Sequence, residues 1–190
     1  MTNTTTIILV AIVFLVIGGL LTMAFTRLQR TKRLRERFGP EYERTINELG
    51  DKRQAENDLE TRLSHVENLK IRPLTAEEID HFTNEWQSTQ TEFVDEPLAA
   101  VQKAERLLQE VMHTRGYPVE DFEQRAADIS VDHPELVTNY RELYAITEKG
   151  NQDGISTEEM RQAMVHGRAL FQDLVQSEAE VEDANEQEKI

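Results

Sequence analysis

The chain begins with a pattern unlike the rest of it. Ile7 to Phe25 reads IILVAIVFLVIGGLLTMAF, in which sixteen of nineteen residues are apolar and none is charged. As a helix rising 1.5 Å per residue, such a run covers about the 30 Å hydrocarbon core of a bilayer and satisfies its own backbone polar groups there. The pattern predicts a transmembrane helix over 7–25. A cleaved signal peptide fits less well. The preceding MTNTTT has no basic residue, and the run exceeds the apolar stretch of a signal peptide, although Thr22-Met23-Ala24 loosely resembles a cleavage site. Gly18 and Thr22 have the small-x-x-x-small spacing that lets helices approach, a spacing ordinary in membrane helices as well.

Beyond the run, every segment is patterned for helix. Gly39-Pro40 closes a juxtamembrane segment, 26–39, and opens the next helix. From 40 to 72 the sequence predicts a helical stalk, with one long helix from Glu41 to about Leu69. A heptad frame from Leu28 places Leu28, Phe38, Tyr42, Leu49, Leu59, Leu63 and Val66 on one seam. Arg35, Lys52 and Glu56 interrupt it, so a short or partner-dependent coiled coil is expected. Thr75-x-x-Glu78 has the form of a capping box opening a helix to about Val94, with Ile79, Phe82, Trp86 and Phe93 on its stripe. Asp95-Glu96-Pro97 opens another, stopped by Gly116 and Pro118. A short helix over Val119–Ser130, one from Asp132-His133-Pro134 to Gly150, and a last one capped by Ser156-x-x-Glu159 complete the series. No stretch alternates with period two, so no sheet is expected. The prediction is an all-α chain whose residues 73–176 form a small bundle of four main helices and one short one. The final stretch 177–190, SEAEVEDANEQEKI, reads as a disordered acidic tail.

Charge sharpens this division. The chain carries 21 basic and 36 acidic residues, a net −15, too acidic to coat nucleic acid through phosphate contacts. Yet Arg27 to Pro40 holds six basic residues and one acid, while Pro73 to Gln176 holds eight basic against 21 acidic. Arg27, Arg30, Lys32, Arg33, Arg35 and Arg37 follow the apolar run directly, and no charged side chain precedes it. The positive-inside rule then sets the N-terminus outside and the C-terminal part in the cytoplasm. These six residues are the expected contacts to anionic headgroups, worth about 1 kcal/mol each near the surface.

Catalytic signatures are weak. With no cysteine, the chain has no disulfide, thiolate metal site or cysteine nucleophile. It has no G-x-S-x-G elbow and no Gly-rich phosphate loop. Two Glu-x-x-His pairs, Glu78…His81 and Glu110…His113, have the form used by di-metal bundles. His81 falls roughly 125° from the centre of its apolar stripe, and Glu110 with His113 roughly 150° from theirs, so solvated positions are expected. Asn151-Gln152-Asp153-Gly154 suggests a calcium loop, but Lys149 and Met160 then occupy its first and last ligand positions, where carboxylates are needed. His133 reads as part of a helix cap and His166 as a core-edge residue. No catalytic, metal or cofactor site is therefore expected.

Three stretches, RTKRLRERFGPEYERT at 30–45, RGYPVEDFEQRAADISVDHPELVTNYR at 115–141 and RQAMVHGRALFQDLV at 161–175, resemble a family of bacterial single-span proteins described as membrane or secreted, without assigned activity. The resemblance implies a bacterial source and an anchored helical domain, and carries no site residues over. The expectation is a non-enzymatic interaction or scaffold module at the bacterial inner membrane, meeting a protein partner or a second copy through its stalk. The alternatives are a metal- or histidine-dependent enzyme using His81, His113, His133 or His166, and a structural envelope protein with the bundle outside.

Overall fold

A computed structural model describes residues 2–150 and 154–176, with side chains left undescribed at 2–13 and 16. The chain is all-helical: among the described residues there are eight α-helices and no strand. They form two compact units, Met1–Leu59 and Glu60–Ile190.

In the first unit, α1 runs unbroken from Thr2 to Phe38. It stops where expected, at Gly39, whose φ of 47° suits glycine, and Pro40 starts α2 (Pro40–Leu49). The long helix predicted from Glu41 to Leu69 does not form. Gly50, in the left-handed region at φ 67°, closes α2 with its N–H on the Ile46 carbonyl. Asp51 then caps α3 (Lys52–Glu67), its Oδ1 accepting from the Gln54 N–H at 2.7 Å. A stop and a start signal stand side by side there, and they outweigh the partial heptad.

The consequence is a fold-back instead of an extended stalk. Thr31 Oγ1 lies 2.6 Å from Glu56 Oε1, whereas 25 residues of straight helix would separate them by about 37 Å. Leu34, Phe38, Tyr42, Ala55 and Leu59 are buried in this hairpin. Leu28 and Leu49, two of the predicted seam positions, are 70% and 39% exposed. The heptad therefore satisfies itself within the chain, over only part of its predicted length.

Within the described residues no helix is long and apolar enough to cross a membrane. Much of the predicted 7–25 span, residues 7–13 and 16, falls among the undescribed side chains. The predicted tail, 177–190, and residues 151–153 of the suspected calcium loop also lie outside the described residues.

The second unit is built around α5 (Pro97–Arg115), which packs against α4 (Ala76–Glu92), α7 (Val137–Gly150) and α8 (Thr157–Gln176). Its inward face is Val101, Ala104, Leu108, Val111 and Met112, all buried. Both predicted capping boxes are formed. At Thr75 the hydroxyl accepts from the Glu78 N–H and Glu78 accepts from the Thr75 N–H; Ser156 and Glu159 repeat the arrangement. The short helix α6 starts later than predicted, at Phe122, because Asp121 supplies the cap, and it extends to Asp132. The next helix also starts late, at Val137, after the His133 carbonyl accepts from the Leu136 and Val137 N–H groups. Chain preceding Pro73 belongs to this unit too: Leu69, Ile71 and Leu74 pack on its core, and the Arg72 N–H bonds the Arg115 carbonyl at 2.8 Å.

Candidate functional site

The six basic residues after the apolar run all lie on the last three turns of α1, and the hairpin divides them. Arg30 donates to Asn57 Oδ1 at 2.7 Å. Arg35 pairs with Glu43 at 2.7 Å, its guanidinium 5.3 Å from the Tyr42 ring centroid. Lys32 makes an exposed i,i+4 pair with Glu36 at 3.7 Å, an arrangement that holds a side chain only weakly. Arg27, Arg33 and Arg37 are exposed. Two of the six expected lipid contacts, Arg30 and Arg35, thus also brace the fold-back, and Arg33 and Arg37, though exposed, also have partners within the chain.

Between α1, α2 and α3 sits a small polar knot that the heptad frame reads only as an interruption. Glu56 is buried and accepts from the hydroxyls of Thr31, at 2.6 Å, and Tyr42, at 2.9 Å, with Lys52 at 3.7 Å. Burial raises the Tyr42 phenol, and the adjacent carboxylate raises it further, to about 12. For Glu56 burial also pushes upward, but the two hydroxyl donors and the charges of Lys52 and Arg30 outweigh it and hold the carboxyl below its ordinary value. Glu56 therefore stays charged and satisfied, which lets a carboxylate occupy the seam.

The two Glu-x-x-His pairs come out differently from each other. Glu78 is committed to structure: besides the capping box it takes a bidentate pair from Arg72 at 2.7 and 2.8 Å, which with the Thr75 N–H holds its carboxyl down at about 2. His81, Glu110 and His113 are exposed, as the helical angles predict. They nevertheless open onto one groove of about 590 Å³ between α4 and α5, together with Arg106, Gln109 and Thr114. Angular position on isolated helices misses this because the groove forms where the edges of two apolar stripes meet. Among the described residues no three His, Asp or Glu side chains are grouped so as to hold a metal ion.

The remaining histidines are paired. His166 Nε2 lies 2.9 Å from Glu142 Oε2. His133, expected at a helix cap, is the C-cap residue of α6, its N–H on the Ile129 carbonyl; its side chain is also buried, with Nδ1 against Asp173 of α8 and Nε2 without a partner. Burial pushes its pKa down, and Arg115 adds to this; Asp173 and Asp132 pull the other way without prevailing. A depressed histidine stabilises the fold fully above the ordinary pKa of about 6.5 and loses that contribution as the pH falls through it. Urea midpoints of the full chain should therefore fall between about pH 7 and about pH 5, with a shallower fall in His133→Gln. Equal slopes would contradict this placement of His133. Burial acts oppositely at Asp128, which is fully buried: it raises the carboxyl despite the Gln124 hydrogen bond. That contribution is relieved only as the pH falls towards the carboxylate range.

The centre of the second unit holds a buried polar cluster of Glu105, Arg125 and Tyr140. Arg125 Nε donates to Tyr140 Oη at 2.7 Å, Nη1 donates to the Val119 carbonyl, and Nη2 lies 3.6 Å from Glu105 Oε1. Gln109 Nε2 also donates to Glu105, at 2.5 Å. Burial pushes the Tyr140 phenol well above its ordinary value. The cluster joins α5, α6 and α7, and its groups are consumed by one another.

Comparison with family models, with curated proteins and with solved structures returns no match to this chain.

Proposed function

We propose that this chain is a non-enzymatic interaction module held in the bacterial inner membrane by α1, in the manner of the single-span proteins it resembles. The observation that carries the reading is the composition of α1 between its ends. The nineteen-residue apolar run passes within one helix into six basic residues. Where side chains are described, Phe14, Leu15, Leu20, Leu21 and Phe25 are each more than 60% exposed. A helix apolar on all sides needs an apolar surrounding on all sides, and a bilayer supplies it. The basic flank then sets the second unit in the cytoplasm, with Arg27, Lys32, Arg33 and Arg37 against anionic headgroups. The second unit serves as the surface that meets a protein partner.

Fractionation tests the anchor. Full-length protein is expected to stay with membranes through a urea wash. Phe14→Arg combined with Ile17→Arg, at about 5–7 kcal/mol against insertion, should move it to the soluble fraction. Wild-type protein released by the wash would overturn the reading. A second reading rests on one observation, the sharing of a groove by His81, Glu110 and His113: metal- or histidine-dependent chemistry there. Stoichiometric transition metal in purified protein, lost in His81→Ala and His113→Ala, would favour it.

A further inference from the structure

The last turn of α8 is fastened by side chains that come from the ends of two other helices. Arg115, the final residue of α5, is 3% exposed, and its Nη1 donates to the Leu174 carbonyl at 2.8 Å. The last carbonyls of a helix have no partner within it, so this bond caps α8 from outside. His133, at the end of α6, meets the Asp173 carboxylate through Nδ1. Tyr117, in the loop between α5 and α6, donates its hydroxyl to Asp132 at 2.8 Å and ties that loop to the end of α6. Phe171, Leu174 and Val175 of α8 are buried in the core beneath these contacts.

The two nitrogens of His133 stand in different surroundings. In the neutral ring Nδ1–H donates to Asp173, and Nε2 carries only a lone pair, buried and without a partner. Protonation turns Nε2 into a donor in a place that offers it no acceptor. The charged groups facing the ring are Asp173 on α8, Asp132 beside it on α6 and Arg115 at the end of α5. The two carboxylates favour the cation, whereas burial and Arg115 oppose it and prevail. Exposure explains the imbalance: the His133 side chain is 7% exposed and that of Asp173 is 41% exposed, so water weakens the attraction of the carboxylate. Water therefore lies on the α8 side of the ring.

We propose that the last turn of α8 is an acid-released strap: when His133 takes up a solvent proton at Nε2, the turn lifts off the ends of α5 and α6, admits water to the ring and uncovers Phe171, Leu174 and Val175. A helix end opens at lower cost than the central α5, which packs against three helices. Opened, the ring titrates near the ordinary 6.5; closed, it titrates lower. The opening equilibrium then rises as the pH falls below about 6.5, by up to about tenfold between pH 7.5 and pH 5.5. The strap belongs to the second unit alone, so it goes beyond the membrane reading and stands apart from it.

Amide hydrogen exchange of the full-length protein in detergent, at pH 7.5 and pH 5.5 and corrected for the intrinsic pH dependence of exchange, tests the strap. Amides at 172–175 should lose about three- to tenfold in protection at the lower pH, and amides at 104–112 in the middle of α5 should not. His133→Gln, whose carboxamide still donates to Asp173 but does not titrate, should remove the step. Asp173→Asn should keep it, whereas a step caused by the carboxylate would vanish there. His166→Gln, two turns earlier on α8 where the imidazole pairs with Glu142, should leave the step unchanged. No step at 172–175, an equal step at 104–112, a step undiminished in His133→Gln, or one lost in Asp173→Asn or His166→Gln would overturn the proposal.

Discussion

Arg125→Ala is expected to cost about 3–5 kcal/mol of unfolding free energy, because it strands buried partners. The guanidinium is 4% exposed and serves three groups from different parts of the unit: the Tyr140 hydroxyl on α7, the Val119 carbonyl before α6, and Glu105 on α5. Without it the Glu105 carboxylate keeps only Gln109 and the edge of Tyr140, whose oxygen lies 3.5 Å away. Breaking a buried pair from one side costs far more than replacing both partners by apolar groups. The double variant Arg125→Met with Glu105→Leu should therefore recover much of the loss. Urea unfolding of the full chain in detergent, followed by Trp86 emission, measures both. A loss below about 1 kcal/mol for Arg125→Ala would mean the cluster is solvated.

The second large effect is expected at Gly116. This residue ends α5 at φ 102°, with its N–H on the α5 carbonyls, and a Cβ built there would lie 2.6 Å from the Lys70 carbonyl oxygen. The obstacle is backbone, and it is pinned, since the Arg72 N–H is bonded to the Arg115 carbonyl two residues further on. Positive φ alone costs a non-glycine residue about 1–3 kcal/mol. With the clash added, Gly116→Ala should lose about 3 kcal/mol or more. Gly50→Ala is the control: φ is 67° there, but a Cβ meets nothing within 4 Å, so about 1 kcal/mol is expected. Equal losses at the two positions would show that backbone conformation acts alone and that the approach of Lys70 is unimportant.

These two sites show where the sequence is informative and where it is not. Local signals were legible: the boxes at Thr75 and Ser156, the break at Gly39-Pro40 and the stop at Gly116 each depend on a few neighbouring residues. What Gly116 packs against was not legible, since Lys70 approaches from a segment assigned to the stalk. Gly50-Asp51 lies inside the helix expected from Glu41 to Leu69, and the contact of Thr31 with Glu56 shows the chain turning back there. Glu105, Arg125 and Asp128 are buried although charge on a helix ordinarily means solvent. They are tolerated because each finds partners on another turn or another helix, a property of packing that helical periodicity does not encode. The groove that His81 and His113 share arises in the same way.

The central claim concerns a membrane, and one labelling measurement tests it most directly. The chain has no cysteine, so single cysteines can be introduced on an unlabelled background at Thr4 and at Glu148, an exposed residue of α7. In intact spheroplasts an impermeant maleimide should label Thr4→Cys and leave Glu148→Cys unlabelled until the membrane is lysed. Labelling of Glu148→Cys in intact spheroplasts, with Thr4→Cys protected, would put the second unit outside and contradict the account.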